Sequence, residues 1–214
     1  MIQITNLTKK FGTATVLDDI NMTLEAGKIY GLVGRNGSGK TMLLKHMLGF
    51  VRPTEGTISY AGNVLWKDIE MPENVGAIIE SPGFLTEYTG FHNLQLLATI
   101  RGKISDAQIR EAIITVGLDP DSKKKVGSYS LGMRQRLGIA QALMENPDIL
   151  LLDEPLSGLD NDGVDEIRKV FLEQRKKGKM VVLASHSNED IAILCDEVFR
   201  FDKGKIIEHI VQQS

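Results

Sequence analysis

A glycine-rich loop constrains this chain more than any other stretch of its sequence. Residues 28–33 before the loop form a short apolar run typical of a strand, and residues 42–48 after it carry apolar side chains at helical spacing. Strand, glycine loop and helix in this order predict a phosphate-binding loop rather than a glycine-rich turn with a chance lysine. The loop fits the pattern G-x-x-x-x-G-K-[ST] and consists of Gly34, Arg35, Asn36, Gly37, Ser38, Gly39, Lys40 and Thr41.

The residue types in this loop suit the binding of a nucleoside triphosphate such as ATP. Glycines allow backbone conformations in which successive N–H groups point at an anion, and the following helix adds its positive N-terminal end. Lys40 places a full positive charge near the β- and γ-phosphates, and the Thr41 hydroxyl can bind Mg²⁺. Kinases, switches and motors share this loop, so by itself it predicts nucleotide binding and no particular reaction.

Composition and charge are those of an ordinary globular chain. The 214 residues suffice for one sizeable domain, with 42% hydrophobic residues, 25% charged residues and a net charge of −3. This mildly acidic balance lacks the basic footprint of a dedicated nucleic-acid binder. No stretch reaches the roughly 18 apolar residues of a membrane span, and the N-terminus does not read as a signal peptide. The single cysteine, Cys195, suits a reducing cytosol and is interpreted as a buried small hydrophobic residue.

Strand-like and helix-like segments alternate along most of the chain. This order predicts an α/β fold with a phosphate-loop NTPase core, in which helices cover both faces of a mostly parallel sheet. Strands are expected at residues 2–7, 16–24, 28–33, 57–60, 75–79, 148–153 and 180–184, with two more within 197–208. Helices are expected at residues 42–48, 91–100, 105–116, 130–145, 161–177 and 188–195.

One domain is expected over residues 1–214. Residues 1–83 and 129–214 would form the catalytic core, with an antiparallel β region near the N-terminus. Residues 84–128 would form a helical insert, because two helical patterns follow each other there without a strand between them. The second of these helices begins at Ser105 with a glutamine three residues on, which is the sequence of a capping box.

The second motif consists of four apolar residues followed by two acids, at residues 149–154. A buried apolar strand fixes the position of the residues at its end. Asp153 is therefore expected to contribute to Mg²⁺ binding, as the Walker B aspartate does in phosphate-loop proteins. Glu154, one residue further on, points in a different direction from Asp153 and can polarise a water molecule. This favours hydrolysis of ATP over transfer of its phosphate to a bound acceptor. Taken alone, two such acids are also common at a helix N-terminus.

A third motif, with the sequence Tyr-Ser-Leu-Gly-Met-Arg-Gln-Arg at residues 129–136, carries a resemblance to a known family. It resembles the signature of ATP-binding cassette (ABC) proteins, usually written LSGGQ and followed by RQR. Ser130, Gly132 and the Arg-Gln-Arg continuation at residues 134–136 match that pattern. Tyr129, Leu131 and Met133 depart from its commonest residues. A serine hydroxyl, a glycine and a helix N-terminus together can form a second anion site, although a serine here is also an ordinary N-cap.

Other residues follow in the order of the ABC motifs. The segment ending at Asp160 resembles the D-loop, which implies a dimer contact, and His186 resembles the catalytic switch histidine. Phe11 resembles the aromatic residue that stacks on adenine, and the resemblance also places Val16 in the nucleotide site. These matches span residues 11–186, and such an ordered series is far more specific than any single motif.

Glu80 departs from the family pattern. After the strand expected at residues 75–79 the family usually has a glutamine, which touches Mg²⁺ and the attacking water and relays to the membrane partner. The resemblance implies that Glu80 reaches the metal and takes part in coupling, although a carboxylate adds negative charge near the γ-phosphate. The loop at residues 80–85 resembles that of ATPases from bacitracin- and lantibiotic-resistance exporters.

The resemblance implies the ATP-hydrolysing subunit of an ABC transporter, bound peripherally to the inner face of the cell membrane through a permease. Two cassettes, identical or different, would share each ATP, and Ser130 and Gly132 of one would close on the phosphate loop of the other. One alternative is a soluble ABC ATPase that acts on DNA or ribosomes. DNA-maintenance members carry a long coiled coil between the phosphate loop and the signature, whereas Lys40 and Ser130 are only 90 positions apart here and the interval has no sustained heptads. A phosphotransferase, which would need an acceptor pocket instead of Ser130, is the other alternative.

Overall fold

Two β-sheets and six α-helices form the computed structural model, which describes residues 1–212. The strands are β1 (Ile2–Phe11), β2 (Ala14–Leu24), β3 (Ile29–Val33), β4 (Glu55–Tyr60), β5 (Asn63–Val64), β6 (Val75–Ile78), β7 (Ile149–Asp153), β8 (Met180–Ser185), β9 (Glu197–Asp202) and β10 (Lys205–Val211). The helices are α1 (Lys40–Met47), α2 (Gly90–Arg101), α3 (Asp106–Thr115), α4 (Leu131–Leu143), α5 (Asn161–Lys176) and α6 (Asn188–Leu194). A short 3₁₀ turn at Val126–Ser128 precedes α4 and was not expected from the sequence.

The six-stranded sheet has the order β10-β9-β3-β8-β7-β6. All of its neighbouring strands are parallel except β9 and β10, so the carboxyl ends of β3, β6, β7 and β8 lie at one edge. The register pairs Val33 with Ser185 and Asp153 with Ala184. The loops that follow these strands therefore meet at this edge, which is where open α/β sheets bind their ligands.

The four-stranded sheet is antiparallel, has the order β2-β1-β4-β5 and confirms the expected β-rich N-terminal region. Its first strand is longer than the sequence indicated, because β1 continues to Phe11 instead of ending near Leu7. The register shifts after Ile4 and Asn6 has a φ of 48°, so an irregularity inside the strand interrupts the alternation that the sequence showed. The turn expected at residues 9–12 accordingly falls at residues 12–13.

The central strands of the larger sheet are buried on both faces because successive side chains enter two separate apolar clusters. On β7, Leu150 and Leu152 pack into the cluster that includes side chains of α4 and α5. Leu151 packs into the other cluster, which includes α1 and the antiparallel sheet. Each leucine buried in this way stabilises the fold by roughly 1.5–3 kcal/mol. The packing on both faces fixes the end of β7, and with it Asp153 at that end and Glu154 directly beyond it.

The helices α2 and α3 lie between β6 and α4 in the chain, and α3 packs against both α2 and α4. The capping box at the start of α3 is confirmed, because the Ser105 and Gln108 side chains each bond the other residue's backbone N–H. The buried side chains of Ile109 and Ile113 face the core. The division into a core and a helical subdomain stays a prediction. Within residues 1–212, no helix combines the length and apolar character needed to cross a lipid bilayer.

Cys195 lies directly after α6 and is buried, as the sequence indicated. Its sulfur packs so closely on β3 that a Cβ added at Gly31 would lie 2.8 Å from it. Burial raises the pKa of the Cys195 thiol to about 12, so the side chain stays uncharged at neutral pH. These contacts give it the role of a small packing residue between α6 and the sheet.

Candidate active site

The phosphate loop joins β3 to α1, and its backbone is held in a conformation that needs glycine. Gly39 is the N-cap of α1 with a φ of 111°. No side chain of the described residues caps this helix, so its first N–H groups remain available. At Gly34, an added Cβ would lie 2.4 Å from a backbone oxygen of the neighbouring strand β9. The loop therefore combines a left-handed backbone, close packing and an open helix N-terminus, which together suit anion binding.

Two side chains of the loop are buried beside these N–H groups. Lys40 is 6% exposed, and its Nζ donates to the carbonyl oxygens of Gly34 at 2.7 Å and Arg35 at 3.3 Å. Ser38 Oγ is buried and has no hydrogen-bond partner among residues 1–212. Both groups fit a phosphate, which would accept a hydrogen bond from the buried Lys40 ammonium and another from the buried Ser38 hydroxyl.

The Thr41 hydroxyl donates to the Asp153 carboxylate over 2.8 Å, so the first turn of α1 meets the end of β7. Hydroxyl and carboxylate oxygens are the hard ligands that Mg²⁺ prefers. In the described part of the chain, no cluster of three or more His, Cys, Asp or Glu side chains could hold a metal ion. In phosphate-loop sites one or two side chains share Mg²⁺ with the phosphates, and Thr41 and Asp153 are the residues placed to do so here.

Glu154 follows β7 in a left-handed backbone conformation, with a φ of 48°. Its N–H donates to Ala184 O at 2.9 Å, and its carboxylate lies 2.8 Å from Nδ1 of His186. Gln135 of α4 donates to the carbonyls of Glu154 and Pro155, at 3.3 and 2.9 Å. A non-glycine residue with this φ is strained, and the bonds around it hold the strain in place. They fix the direction of the Glu154 carboxylate.

Glu80 lies two residues beyond β6 and is also left-handed, with a φ of 60°. Its carboxylate forms an ion pair with Nζ of Lys45 on α1, at 2.6 Å. Lys45 was not among the site residues expected from the sequence. Its spacing could have indicated it, because residues four apart lie on the same face of a helix, which places Lys45 one turn beyond Thr41.

A cavity of about 440 Å³ brings most of the predicted residues together, and this volume is in the range of small-molecule sites. Phe11 is outside it: its ring is 51% exposed at the end of β1, with Nζ of Lys9 4.7 Å from the ring centre. His186 does not line the cavity but contacts Glu154, which does, and Gly34 and Arg35 also lie outside the lining. The lining consists of Val16, Asn36, Gly37, Ser38, Gly39, Lys40, Thr41, Met42, Lys45, Glu80, Asp153 and Glu154.

The remaining predicted residues lie around a second cavity at the N-terminus of α4. Ser130 caps this helix by accepting a hydrogen bond from the Met133 N–H at 3.2 Å. Gly132 packs on the loop before α5, since an added Cβ would lie 3.0 Å from Gly158 O. Asp160 caps α5 and lines the same cavity. The two cavities share no lining residue, so one copy of the chain does not bring Ser130 to its own phosphate loop.

Comparison with known proteins confirms the resemblance. Residues 17–157 match the family described as ABC transporter. The chain is 48% identical over 206 residues to the ABC transporter ATP-binding protein YybJ of Bacillus subtilis, covering 96% of this chain and 94% of YybJ. It is 42% identical over 213 residues to the bacitracin transport ATP-binding protein BcrA of Enterococcus faecalis, and the match covers 98% of this chain and 69% of BcrA. It is 36% identical over 207 residues to the lantibiotic transport ATP-binding protein SrtF of Streptococcus pyogenes, and the match covers 97% of this chain and 89% of SrtF.

The fold is that of solved ABC cassettes. The dimeric structure of a post-hydrolysis state of the ATP-binding cassette MJ0796, bound to ADP and Pi, superposes with a TM-score of 0.88 over the full length of both chains, at 22% identity. The expected α/β architecture with its antiparallel β region is therefore confirmed. The order of the motifs, the matching family and the relatives agree on one conclusion. This chain belongs to the ABC transporter family, as an ATP-binding cassette that hydrolyses ATP to drive transport.

Proposed function

We propose that this cassette powers export of a peptide antibiotic, working as a dimer bound to a membrane-spanning permease on the cytoplasmic face of the membrane. The observation that carries the proposal is the division of the predicted site between two cavities of one chain. A cassette divided in this way becomes complete only when a second copy supplies the α4 N-terminus, and the solved cassette MJ0796 is likewise dimeric.

In this site Lys40 and the backbone N–H groups of the loop hold the β- and γ-phosphates of ATP. Thr41 and Asp153 would hold Mg²⁺, which when bound neutralises phosphate charge. Glu154 accepts a proton from the water whose oxygen attacks the γ-phosphorus, while the bond from that phosphorus to the bridging oxygen breaks. ADP and inorganic phosphate are the products. His186 keeps the Glu154 carboxylate in place through their 2.8 Å contact.

Substitution of Lys40 tests the nucleotide site directly. Lys40→Ala should weaken ATP binding by more than about 30-fold, because a buried charge then no longer meets the phosphates. Isothermal titration calorimetry measures the loss, and thermal unfolding shows whether the variant is folded. Lys176→Ala is the matched control, since Lys176 lies on α5 and its side chain is 72% exposed. Unchanged ATP binding by Lys40→Ala would refute the assignment of the site.

An apolar groove beside Glu80 supports a permease as the partner. It measures about 530 Å³ and includes residues 81–83, which directly follow Glu80, so a group bound in it is connected through the chain to the nucleotide cavity. Ile100 of α2 lines this groove and is 79% exposed, and Phe50 is 60% exposed. Exposed apolar side chains grouped in this way are typical of protein interfaces. We assign the groove to a cytoplasmic segment of the permease.

The assignment is tested by co-purification with a membrane-spanning permease from the organism that encodes this chain. Ile100→Asp should abolish co-purification from detergent, because it places a charge in the apolar groove. Ile114→Asp should leave it unchanged, since Ile114 is 62% exposed on α3 and does not line the groove. Equal recovery of both variants with the partner would exclude this groove as the docking site.

The proposed cargo is supported by the relatives alone, because BcrA and SrtF are described as bacitracin and lantibiotic transport proteins. Expression of the assembled transporter should raise the concentration of bacitracin or lantibiotic that inhibits a sensitive bacterium. The same transporter carrying Lys40→Ala should give no protection, because it lacks the energy source. Equal sensitivity with and without the intact transporter, for both classes of peptide, would exclude this cargo.

A further inference from the structure

The pair formed by Lys45 and Glu80 joins the first helix after the phosphate loop to the loop after β6. The Nζ–Oε1 distance is 2.6 Å, and both residues line the cavity that contains Lys40. The Lys45 side chain is 28% exposed, whereas the Glu80 side chain is 66% exposed. The carboxylate thus stands at the mouth of the cavity and the ammonium lies deeper, against the wall formed by α1.

The charges around the cavity show why this pair matters. Among the described residues of its lining, the acids are Glu80, Asp153 and Glu154, and the bases are Lys40 and Lys45. Asp153 has the Thr41 hydroxyl as its partner, and Glu154 has His186. Glu80 is the acid whose partner is a cation from the phosphate-loop helix itself. Without that cation, a third carboxylate would face a triphosphate that carries several negative charges, and like charges at such distances repel.

The geometry of α1 makes Lys45 the natural partner. Thr41 and Lys45 are one helical turn apart on the same face. They contact Asp153, the last residue of β7, and Glu80, two residues beyond the adjacent strand β6. The register of these strands pairs Ile78 with Leu152, so Glu80 and Glu154 lie at matching positions beyond the sheet edge. Glu80 is also held at a φ of 60°, so its backbone direction is set by the fold.

If the ion pair had only a structural role, its removal would have little effect. An ion pair with one partner mostly in solvent contributes about 0–1 kcal/mol to the stability of a protein. Its removal would then have a small effect on unfolding and none on nucleotide binding. The position of both side chains in the lining of the nucleotide cavity favours a functional role. A functional role predicts weaker nucleotide binding when the pair is removed, whereas a structural role does not.

We propose that Lys45 is a positioning residue for Glu80. Its ammonium neutralises the carboxylate and holds it against α1, which lets a glutamate stand beside the γ-phosphate end of the site without opposing the binding of ATP. The proposal rests on the assignment of this cavity to ATP, and it adds to that assignment a residue that acts through Glu80 rather than on the nucleotide.

The test is a double-substitution cycle read by direct binding. Isothermal titration calorimetry would measure the affinity of each variant for a non-hydrolysable ATP analogue with Mg²⁺. Lys45→Met removes the charge and keeps the aliphatic stem, and it should weaken binding about tenfold, because the Glu80 charge is left unpaired. Lys45→Arg should restore binding to within about twofold of the wild type. Lys176→Met, on α5 and outside the cavity, is the control for loss of a surface lysine.

The second half of the cycle separates action through Glu80 from direct action on the nucleotide. The double variant Lys45→Met with Glu80→Gln should bind within about twofold of Glu80→Gln alone, because no carboxylate then remains to be neutralised. A tenfold loss in both backgrounds would overturn the proposal, and so would unchanged binding by Lys45→Met. A wild type that does not bind the analogue at all would overturn the nucleotide site itself as well. Thermal unfolding without nucleotide should show similar midpoints for all variants, and a large shift for Lys45→Met would support a structural role instead.

Discussion

The Glu154 carboxylate and Nδ1 of His186 lie 2.8 Å apart, across the carboxyl ends of two adjacent parallel strands. Glu154 follows β7 and His186 follows β8, so the sheet itself sets their separation. The His186 side chain is 70% exposed and the Glu154 side chain 31%, which leaves the histidine on the outer side of the pair. From this arrangement we expect His186 to orient the expected base, Glu154, rather than to contact the phosphate loop.

Removal of His186 should therefore slow hydrolysis without loss of ATP binding. We expect His186→Ala to lower kcat about 100-fold, because the Glu154 carboxylate is no longer held toward the attacking water. Phosphate release gives kcat, and calorimetry gives the affinity for ATP. His92→Ala is a matched control, since His92 lies on α2 outside the cavity. A parallel loss of affinity and of kcat would contradict a role in orientation.

Glu154→Gln should trap a dimer with ATP bound between the two copies. The amide keeps the shape of the side chain but cannot accept the proton of water, so ATP persists and continues to join both copies. Gel filtration with and without ATP measures the apparent molecular mass, which should double when ATP is added. A variant that remains monomeric with saturating ATP would contradict the shared site.

Ser130 provides a test of the same interface, because two substitutions at this position have nearly the same shape and differ mainly in charge. Aspartate and asparagine both cap helices as well as serine does, so Ser130→Asp and Ser130→Asn should keep α4 intact. In the Glu154→Gln background, the aspartate should prevent the ATP-dependent dimer, because its carboxylate would face the γ-phosphate bound to the other copy. The asparagine variant should still dimerise. Dimers formed equally by both would place Ser130 away from the nucleotide.

His46 predicts a dependence of stability on pH. It is fully buried on α1, its Nδ1 lies 2.7 Å from Met42 O, and Nε2 has no partner within residues 1–212. Burial lowers the pKa of this imidazole below its ordinary value of 6.5. The unfolded chain therefore binds the proton more readily, so the free energy of unfolding should decrease as the pH falls below about 6.5, by at most about 1.4 kcal/mol per pH unit.

Urea-induced unfolding at pH 7.5, 6.5 and 5.5 measures this effect. His46→Leu, which cannot take up a proton, should show a smaller decrease over the same range than the wild type does. The difference between the two proteins isolates the contribution of His46 from that of the surface carboxylates and of the other histidines. Parallel curves for the two proteins would show that His46 does not titrate in this window.

The sequence by itself determined the features that depend on neighbouring residues. The spacing in residues 34–41, the acids after the apolar run at residues 149–152 and the capping box at Ser105 are short patterns, and each reports a local backbone requirement. The α/β class followed from the alternation of such patterns along the chain. The extent of β1 was missed because a bulge within a strand interrupts the alternation that indicates it.

Only the tertiary structure decided how distant residues meet. Lys45 and Glu80 are 35 positions apart, and Gln135 reaches the backbone of Glu154 from another element. The separation of Ser130 from the phosphate loop is also a property of the folded chain. Strand order and helix packing set these distances, and they arise from burial summed over the whole core, to which no single short pattern corresponds.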